Sequence, residues 1–164
     1  NIVETVQMDI PLHMTAGELF EALGEMGAKA LISVLEDLPE KLARSTPQDH
    51  EKATYAEKVT KEMGRIDWTK DAKTLDALIR GMYPNPGTYT FFRGKRVKIH
   101  RAEVSDGESK EAPGTIISTK DGLTIACGRG TLTISSLQPE NHKRMAAGDF
   151  VNGYQVKVND TFDC

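Results

Sequence analysis

The chain has few residues that could form disulfide bonds or bind a metal ion. It has two cysteines, Cys127 and Cys164, and four scattered histidines, without the spacing of a disulfide framework or of a metal site. Long apolar runs are also missing, so the sequence predicts no membrane-spanning helix. These absences favour a reduced compartment and a fold that rests on an ordinary hydrophobic core.

Charge is distributed unevenly along the 164 residues. The hydrophobic fraction of 38% and the charged fraction of 27% suit one domain, or one small domain and a piece of another. The formal net charge is −3, yet residues 1–84 hold ten basic against fifteen acidic residues (net −5), whereas residues 85–164 hold eleven against nine (net +2). Such an asymmetry is expected when only one half of a chain meets a polyanion.

Residues 93–101 form a basic stripe, with five Lys or Arg and one His among nine residues and no acid. On a β-strand the two apolar side chains of this stretch point to one face, and Arg96, Lys98 and His100 point to the other. Cations gathered on one face suit a polyanion, and a solvated strand face is the alternative interpretation. The candidate nucleic-acid-binding residues of the stripe are Arg93, Lys95, Arg96, Lys98 and Arg101.

A second basic pair, Lys143 and Arg144, lies near the start of a helix predicted over residues 140–150. Cations in the first turn of a helix oppose its dipole, so they do not stabilise the helix by themselves. This placement favours contact with phosphate, and a solvated helix end is the alternative.

The first 38 residues predict a strand and a helix. Residues 1–10 alternate in polarity, and Thr15 and Glu18 have the spacing of a capping box before apolar residues recur at helical intervals as far as Pro39. The apolar face of a helix over 15–38 is too wide for one short strand to cover. Because the chain also begins with Asn rather than Met, we expect it to be a piece of a longer protein, and we expect the helix of this piece, if ordered, to self-associate.

Residues 39–164 predict a linker, at 39–57, followed by a small barrel. Ile66 and Trp68 are predicted core anchors. One helix and five strands separated by turn residues are predicted, in order, at residues 71–82, 88–92, 96–104, 114–119, 123–127 and 131–137. Five short strands favour an OB-like β-barrel with flanking helices, hence an α+β fold, and the basic stripe falls on the second strand, where such barrels bind nucleic acids.

The order of these landmarks resembles the methionyl-tRNA formyltransferase family, from the end of its catalytic domain through its C-terminal domain. The resemblance covers nearly the whole chain. Four stretches carry it: residues 53–58 with 60–62 and 66–68; residues 79–87; residues 94–98 with 113–115; and residues 137–139 with Lys143 and Met145.

The resemblance implies transfer of a formyl group from 10-formyltetrahydrofolate to the methionine carried by initiator tRNA. Residues 1–38 would be the remnant of a Rossmann-like α/β catalytic domain, and residues 58–164 an OB-like domain that holds the tRNA. The family's catalytic Asn, His and Asp have no counterpart in this sequence, so we expect no catalytic residue, no bound cofactor and no transferase activity in this chain alone. The expected parent is a cytoplasmic monomer (organellar if eukaryotic) that binds no membrane.

Two other interpretations remain. The chain could belong to a related formyltransferase that acts on a sugar nucleotide, or to a formyltetrahydrofolate hydrolase; neither needs a tRNA-binding surface. It could also be a stand-alone OB-type RNA-binding module, although the wide apolar face of the 15–38 helix argues against that.

Overall fold

The computed structural model of the protein describes residues 1–163. Contacts divide the chain into two compact units, Asn1–Lys58 and Val59–Cys164. Within the described residues, no helix is both long and apolar enough to span a bilayer.

The first unit is dominated by α1 (Ala16–Glu36), and α2 (Leu38–Ala43) follows it. The predicted capping box is confirmed: the Thr15 hydroxyl accepts from the Glu18 amide at 3.3 Å, and the Glu18 carboxylate accepts from the Thr15 amide at 2.8 Å. None of the 21 residues of α1 is buried. Its predicted apolar face is therefore present and open to solvent.

One prediction for the first unit was wrong. Residues 1–10 do not form a strand; Ile2 alone makes an isolated bridge, to Thr46. A strand needs a neighbouring strand for its amides, and the described part of this unit offers only that single contact. The segment predicted as a linker begins within a short helix, because Pro39 lies in the first turn of α2, where no amide hydrogen is required.

The second unit is a curled antiparallel sheet with helices α3 (Ala72–Met82) and α4 (Ala147–Tyr154). All five predicted strands are confirmed, and two short ones are added. The strands are β1 (Thr88–Phe92), β2 (Lys95–Ser105), β3 (Ile116–Ser118), β4 (Leu123–Ala126), β5 (Thr131–Pro139), β6 (Met145–Ala146) and β7 (Phe162–Asp163). Their order in the sheet is β3-β4-β5-β2-β1-β7, and β6 pairs with β5.

The predicted final helix begins later than expected. Residues 140–144 form a turn, with Asn141 at φ 63°, and α4 starts only at Ala147 after β6 has paired with Ser136 and Leu137 of β5. Sheet pairing takes up the backbone groups that a first helical turn would have used. Lys143 and Arg144 therefore lie in a turn before a strand, and the argument from the helix dipole was wrong.

The core of the second unit is organised around Trp68, which is buried as predicted, together with Ile66. The indole Nε1 of Trp68 donates to the Thr90 hydroxyl at 3.0 Å, and that hydroxyl donates to the Asp163 carbonyl at 3.3 Å. The indole ring lies 5.8 Å from the ring of Phe162. One threonine on β1 thus connects the segment before α3 to β7.

Replacing Thr90 by valine is expected to destabilise the second unit by about 1–3 kcal/mol, because the buried indole N–H would lose its acceptor. Urea unfolding followed by fluorescence of Trp68, the single tryptophan, measures this change. Thr88→Val is the matched control: its hydroxyl is also buried but donates to the Ile99 carbonyl and serves no indole. Equal stability of Thr90→Val and the wild type would contradict the prediction.

Self-association of the chain stays a prediction, which the exposed face of α1 makes testable. Phe20, Leu31 and Leu35 share one side of α1 and are 75%, 58% and 60% exposed. Light scattering should give a mass above that of a monomer, and Leu31→Glu should reduce it. Lys29→Glu places the same new residue on the opposite side and should leave the mass unchanged. A wild-type chain that is strictly monomeric would refute the expectation.

Candidate nucleic-acid interface

Arg96 and Lys98, in the middle of the basic stripe, lie on the solvent-facing side of β2. Val97 and Ile99 are buried, whereas Arg96 and Lys98 are exposed, as the alternation predicted. The face that carries Arg96 and Lys98 is called the outer face below.

Aromatic residues of β1 share the outer face with these cations. Phe91 is the register partner of Arg96, and Tyr89 that of Lys98, and paired residues point to the same side of a sheet. The Arg96 guanidinium lies 5.8 Å from the centroid of the Tyr89 ring, and that of Arg65 lies 5.8 Å from the centroid of Phe91. The two rings meet edge to face at 5.9 Å. Arg65, Phe91, Tyr89 and Arg96 form a continuous aromatic–cation row.

The polarity of β1 is inverted relative to an ordinary one-sided sheet. Its inward side chains include Thr88 and Thr90, both buried, while Tyr89 and Phe91 point outward and are half-buried. Antiparallel strands with one solvated face usually bury their aromatic residues and expose their polar ones. Thr90 is required by the core because it accepts the hydrogen bond of Trp68, and Thr88 donates to the Ile99 carbonyl, but the outward aromatics need a separate explanation.

Arg144 extends the outer face towards the far end of β2. Its Nε donates to the Ser136 hydroxyl at 2.7 Å, and its Nη1 donates to the Tyr83 hydroxyl at 3.0 Å. The Tyr83 ring stands perpendicular to the His100 ring, with 6.1 Å between the centroids. The structure therefore brings Arg144, from the second predicted basic pair, to the stripe.

His100 is held in a polar cluster at that end of the face. Its Nε2 is hydrogen-bonded to Gln138 Oε1 at 3.1 Å, and Gln138 Nε2 donates to the His142 carbonyl at 2.8 Å. Burial lowers the pKa of His100, the bond to Gln138 partly opposes that shift, and the charges of Arg144 and Lys98 lower the pKa further. His100 is accordingly a neutral hydrogen-bonding group at pH 7.

A pair of bulges keeps Arg101 outside. The register between β2 and β5 shifts on both sides of Arg101, so that His100 and Arg101 both avoid the core and Ala102 takes the buried position. Strict alternation after Ile99 would have turned Arg101 inward. Its guanidinium is exposed and lies 3.4 Å from the Glu103 carboxylate, so that carboxylate partly neutralises its positive charge.

Three of the predicted nucleic-acid-binding residues lie apart from Arg96, Lys98 and Arg144. Arg93 donates to the Tyr154 carbonyl and to the Asp160 carboxylate, both at 3.0 Å. Lys95 is the register partner of Phe92, whose side chain enters the core, so Lys95 lies on the side opposite Arg96. Lys143 is exposed in the turn before β6.

The sequence analysis missed the aromatic residues and Arg65. The alternation Thr-Tyr-Thr-Phe-Phe in residues 88–92 contains the information, because a threonine side and an aromatic side can be separated by period two alone. Arg65 could not be found that way, since it reaches the outer face through a parallel bridge to Tyr89.

Other chemistry is weakly represented in residues 1–163. That range holds no group of three or more His, Cys, Asp or Glu placed to bind a metal ion. Burial raises the pKa of the Cys127 thiol to about 11, which leaves it protonated and unreactive. A groove of about 530 Å³ lies within the first unit, between residues 6–10 and α1.

Residues 58–155 match the family model described as formyl transferase, C-terminal domain. The chain belongs to this family. The match contains the outer face, from Arg65 to Arg144.

Full-length relatives carry a more specific name. The methionyl-tRNA formyltransferase of Bdellovibrio bacteriovorus is 40% identical over an alignment of 164 residues, which covers 98% of this chain and 52% of that protein. That of Carboxydothermus hydrogenoformans is 42% identical over 154 residues, or 93% of this chain and 50% of that protein. The resemblance seen in the sequence is confirmed, and the chain spans about half the length of the curated relatives it matches.

Solved structures with the same fold include HypX from Aquifex aeolicus. One variant superposes with a TM-score of 0.68 at 16% identity and covers 93% of this chain and 28% of that one. HypX in complex with tetrahydrofolic acid gives a TM-score of 0.60 at 18% identity, over 80% of this chain and 24% of that one. At such identities the likeness shows the fold alone.

The lowered pKa of His100 predicts a pH-dependent stability. As the pH falls into the range where a histidine ordinarily titrates, the unfolded chain takes up a proton on this residue that the folded chain resists, so the free energy of unfolding should decrease as the pH decreases. The loss of stability begins near the ordinary histidine pKa of about 6.5 and ends below the folded-state value.

Urea titrations should show a weaker pH dependence of the free energy of unfolding for His100→Gln. His50→Gln, on an exposed residue of the first unit, should behave as the wild type. An unchanged pH dependence in His100→Gln would count against this account.

Proposed function

We propose that this chain is the C-terminal, tRNA-binding part of a methionyl-tRNA formyltransferase. The parent enzyme would formylate the methionine on initiator tRNA in the cytoplasm, with 10-formyltetrahydrofolate as donor. The observation that carries the proposal is the outer face, on which Arg65, Arg96, Lys98 and Arg144 converge in a chain whose net charge is −3.

The arrangement of these cations fits an RNA backbone. Grouped Lys and Arg residues neutralise successive phosphates, and the release of counterions makes such binding strong at low salt. Phosphate contacts fix position and orientation but carry no base sequence by themselves. We therefore assign Arg96, Lys98 and Arg144 to direct contact, with Arg101 and Lys143 at the borders of this surface and Lys95 outside it, on the opposite side of β2.

Arg93 has a different role in this proposal. Its guanidinium pairs with Asp160 and also lies 4.7 Å from the centroid of the Phe92 ring. These contacts hold the β1–β2 hairpin against the end of α4, so we propose that Arg93 acts on RNA binding through the position of the hairpin.

We place the chemistry of formyl transfer outside this chain. The reaction needs a base for the attacking amine and donors for the tetrahedral oxyanion. His100, the one histidine of the outer face, is bonded to Gln138 and flanked by cations rather than by a carboxylate. Since the relatives are about twice as long, we assign residues 1–38 to the end of the catalytic domain, 39–57 to a linker and 58–164 to an OB-like domain. The formyl donor would bind to the rest of a monomeric parent.

The double variant Arg96→Ala, Lys98→Ala tests the proposed contacts. Each lost phosphate contact lowers the slope of log K against log salt by about 0.7–0.9, so the pair should lower it by about 1.4–1.8. Filter binding of initiator tRNA at a series of salt concentrations measures the slope. The matched control, Lys120→Ala with Lys157→Ala, removes the same charge from turns outside β1 and β2 and should leave the slope unchanged.

Two results would overturn the proposal. The wild-type chain could fail to bind initiator tRNA, as expected of a formyltransferase with another substrate or of a formyltetrahydrofolate hydrolase. Alternatively, the control pair could lower the slope as much as the outer-face pair, which would mean that the cations of β2 have no special part in binding. A stand-alone RNA-binding module would bind without preference for initiator tRNA over other structured RNAs.

A further inference from the structure

We propose that the aromatic–cation row stacks on an unpaired nucleotide, so that the outer face binds single-stranded RNA through bases as well as through phosphates. This inference rests on the proposed function and names the part of the RNA that the site would take. It starts from the one feature of the face that phosphate binding leaves unexplained, which is the outward position of Tyr89 and Phe91.

The hydrophobic core does not require these two side chains. A ring that points to solvent leaves apolar area in water and forgoes the free energy of burying that area. Thr90, on the inner side, is needed by Trp68. Polar residues could take the outward positions without changing the hydrogen bond of Trp68. Departures from the polarity pattern of a strand are expected where a surface has a binding role.

The geometry of the row suits a flat ligand. The rings of Tyr89 and Phe91 are perpendicular and 5.9 Å apart, so they do not stack on each other. Each ring instead has a guanidinium group above it, that of Arg96 or that of Arg65. Aromatic rings and guanidinium planes are the two kinds of group on which splayed bases stack in RNA recognition.

The row is also held rigidly. β1 is bonded to β2 on one side and to β7 on the other, and the Ile66 amide donates to the Tyr89 carbonyl at 2.8 Å. The hydroxyl of Thr90, between the two aromatics, is bonded to Trp68. A platform fixed in this way loses little conformational entropy when a base binds.

Neighbouring charges fix where the rest of the nucleotide would lie. Lys98 is the register partner of Tyr89, and Arg96 is that of Phe91, so a cation stands beside each ring. A base on the rings would therefore have its own phosphate next to a Lys or Arg. Duplex RNA cannot use the rings in the same way, because its bases are already stacked and paired.

The test compares a single-stranded twelve-nucleotide oligouridylate with the same strand paired to oligoadenylate. Tyr89→Leu and Phe91→Leu should each weaken binding of the single strand about fivefold or more, since loss of a stacking contact has an effect of this order. Binding of the duplex, and the salt slope for both RNAs, should stay as in the wild type. Tyr55→Leu, a change at a tyrosine that is 90% exposed in the first unit, is the matched control and should change neither affinity.

A second variant distinguishes loss of stacking from loss of the folded structure. Tyr89→Trp keeps a flat aromatic face and should retain the affinity for the single strand, and the urea unfolding of each variant shows whether its fold is intact. Equal weakening by Tyr89→Leu and Tyr89→Trp would overturn the inference, as would single-strand affinities unchanged in both leucine variants. If the wild type binds initiator tRNA in either of these cases, only this inference is overturned and the proposed function stands. If the wild type binds no RNA at all, the proposed function itself is overturned, and this inference with it.

Discussion

The indole N–H of Trp68 needs an acceptor in the middle of the core, and the hydroxyl of Thr90 supplies it. Because the same hydroxyl donates to the carbonyl of Asp163, one side chain joins the segment before α3, the strand β1 and the C-terminal strand β7. This requirement puts a small polar residue, Thr90, on the inner side of β1. Of the three aromatic rings of β1, that of Phe92 enters the core, and those of Tyr89 and Phe91 lie on the outer side, where they give the candidate RNA-binding surface its aromatic character.

The basic residues of the hairpin divide into two groups with different physical roles. Arg93 is bound to Asp160 and to the Tyr154 carbonyl, and these contacts fix the hairpin relative to α4. Arg96 and Lys98 are exposed and lie beside aromatic rings. A run of cations that looks uniform in sequence therefore contains one residue that orients the surface and others that form it.

Much of this fold could be predicted because its determinants are local. The capping box at Thr15 and the period-two strands depend on residues close together in the chain, and both were found. Pairing between distant segments could not be predicted: β6 replaces the start of a helix because β5 lies beside it, and the bulge at Arg101 depends on the register with β5. The candidate site was half predicted for the same reason. Arg96 and Lys98 belong to one basic stretch of the sequence, whereas Arg65 and Tyr83 reach the outer face only through tertiary contacts.

The paired bulges in β2 and β5 have a consequence for how chain length can vary. His100 is the additional residue on β2 and Ser135 the additional residue on β5, and beyond Ala102 the register returns to the one that holds at Ile99. Loss of one of these residues alone would displace every later pair of the two strands. Among homologous chains, single-residue deletions at these two points should therefore occur together or not at all.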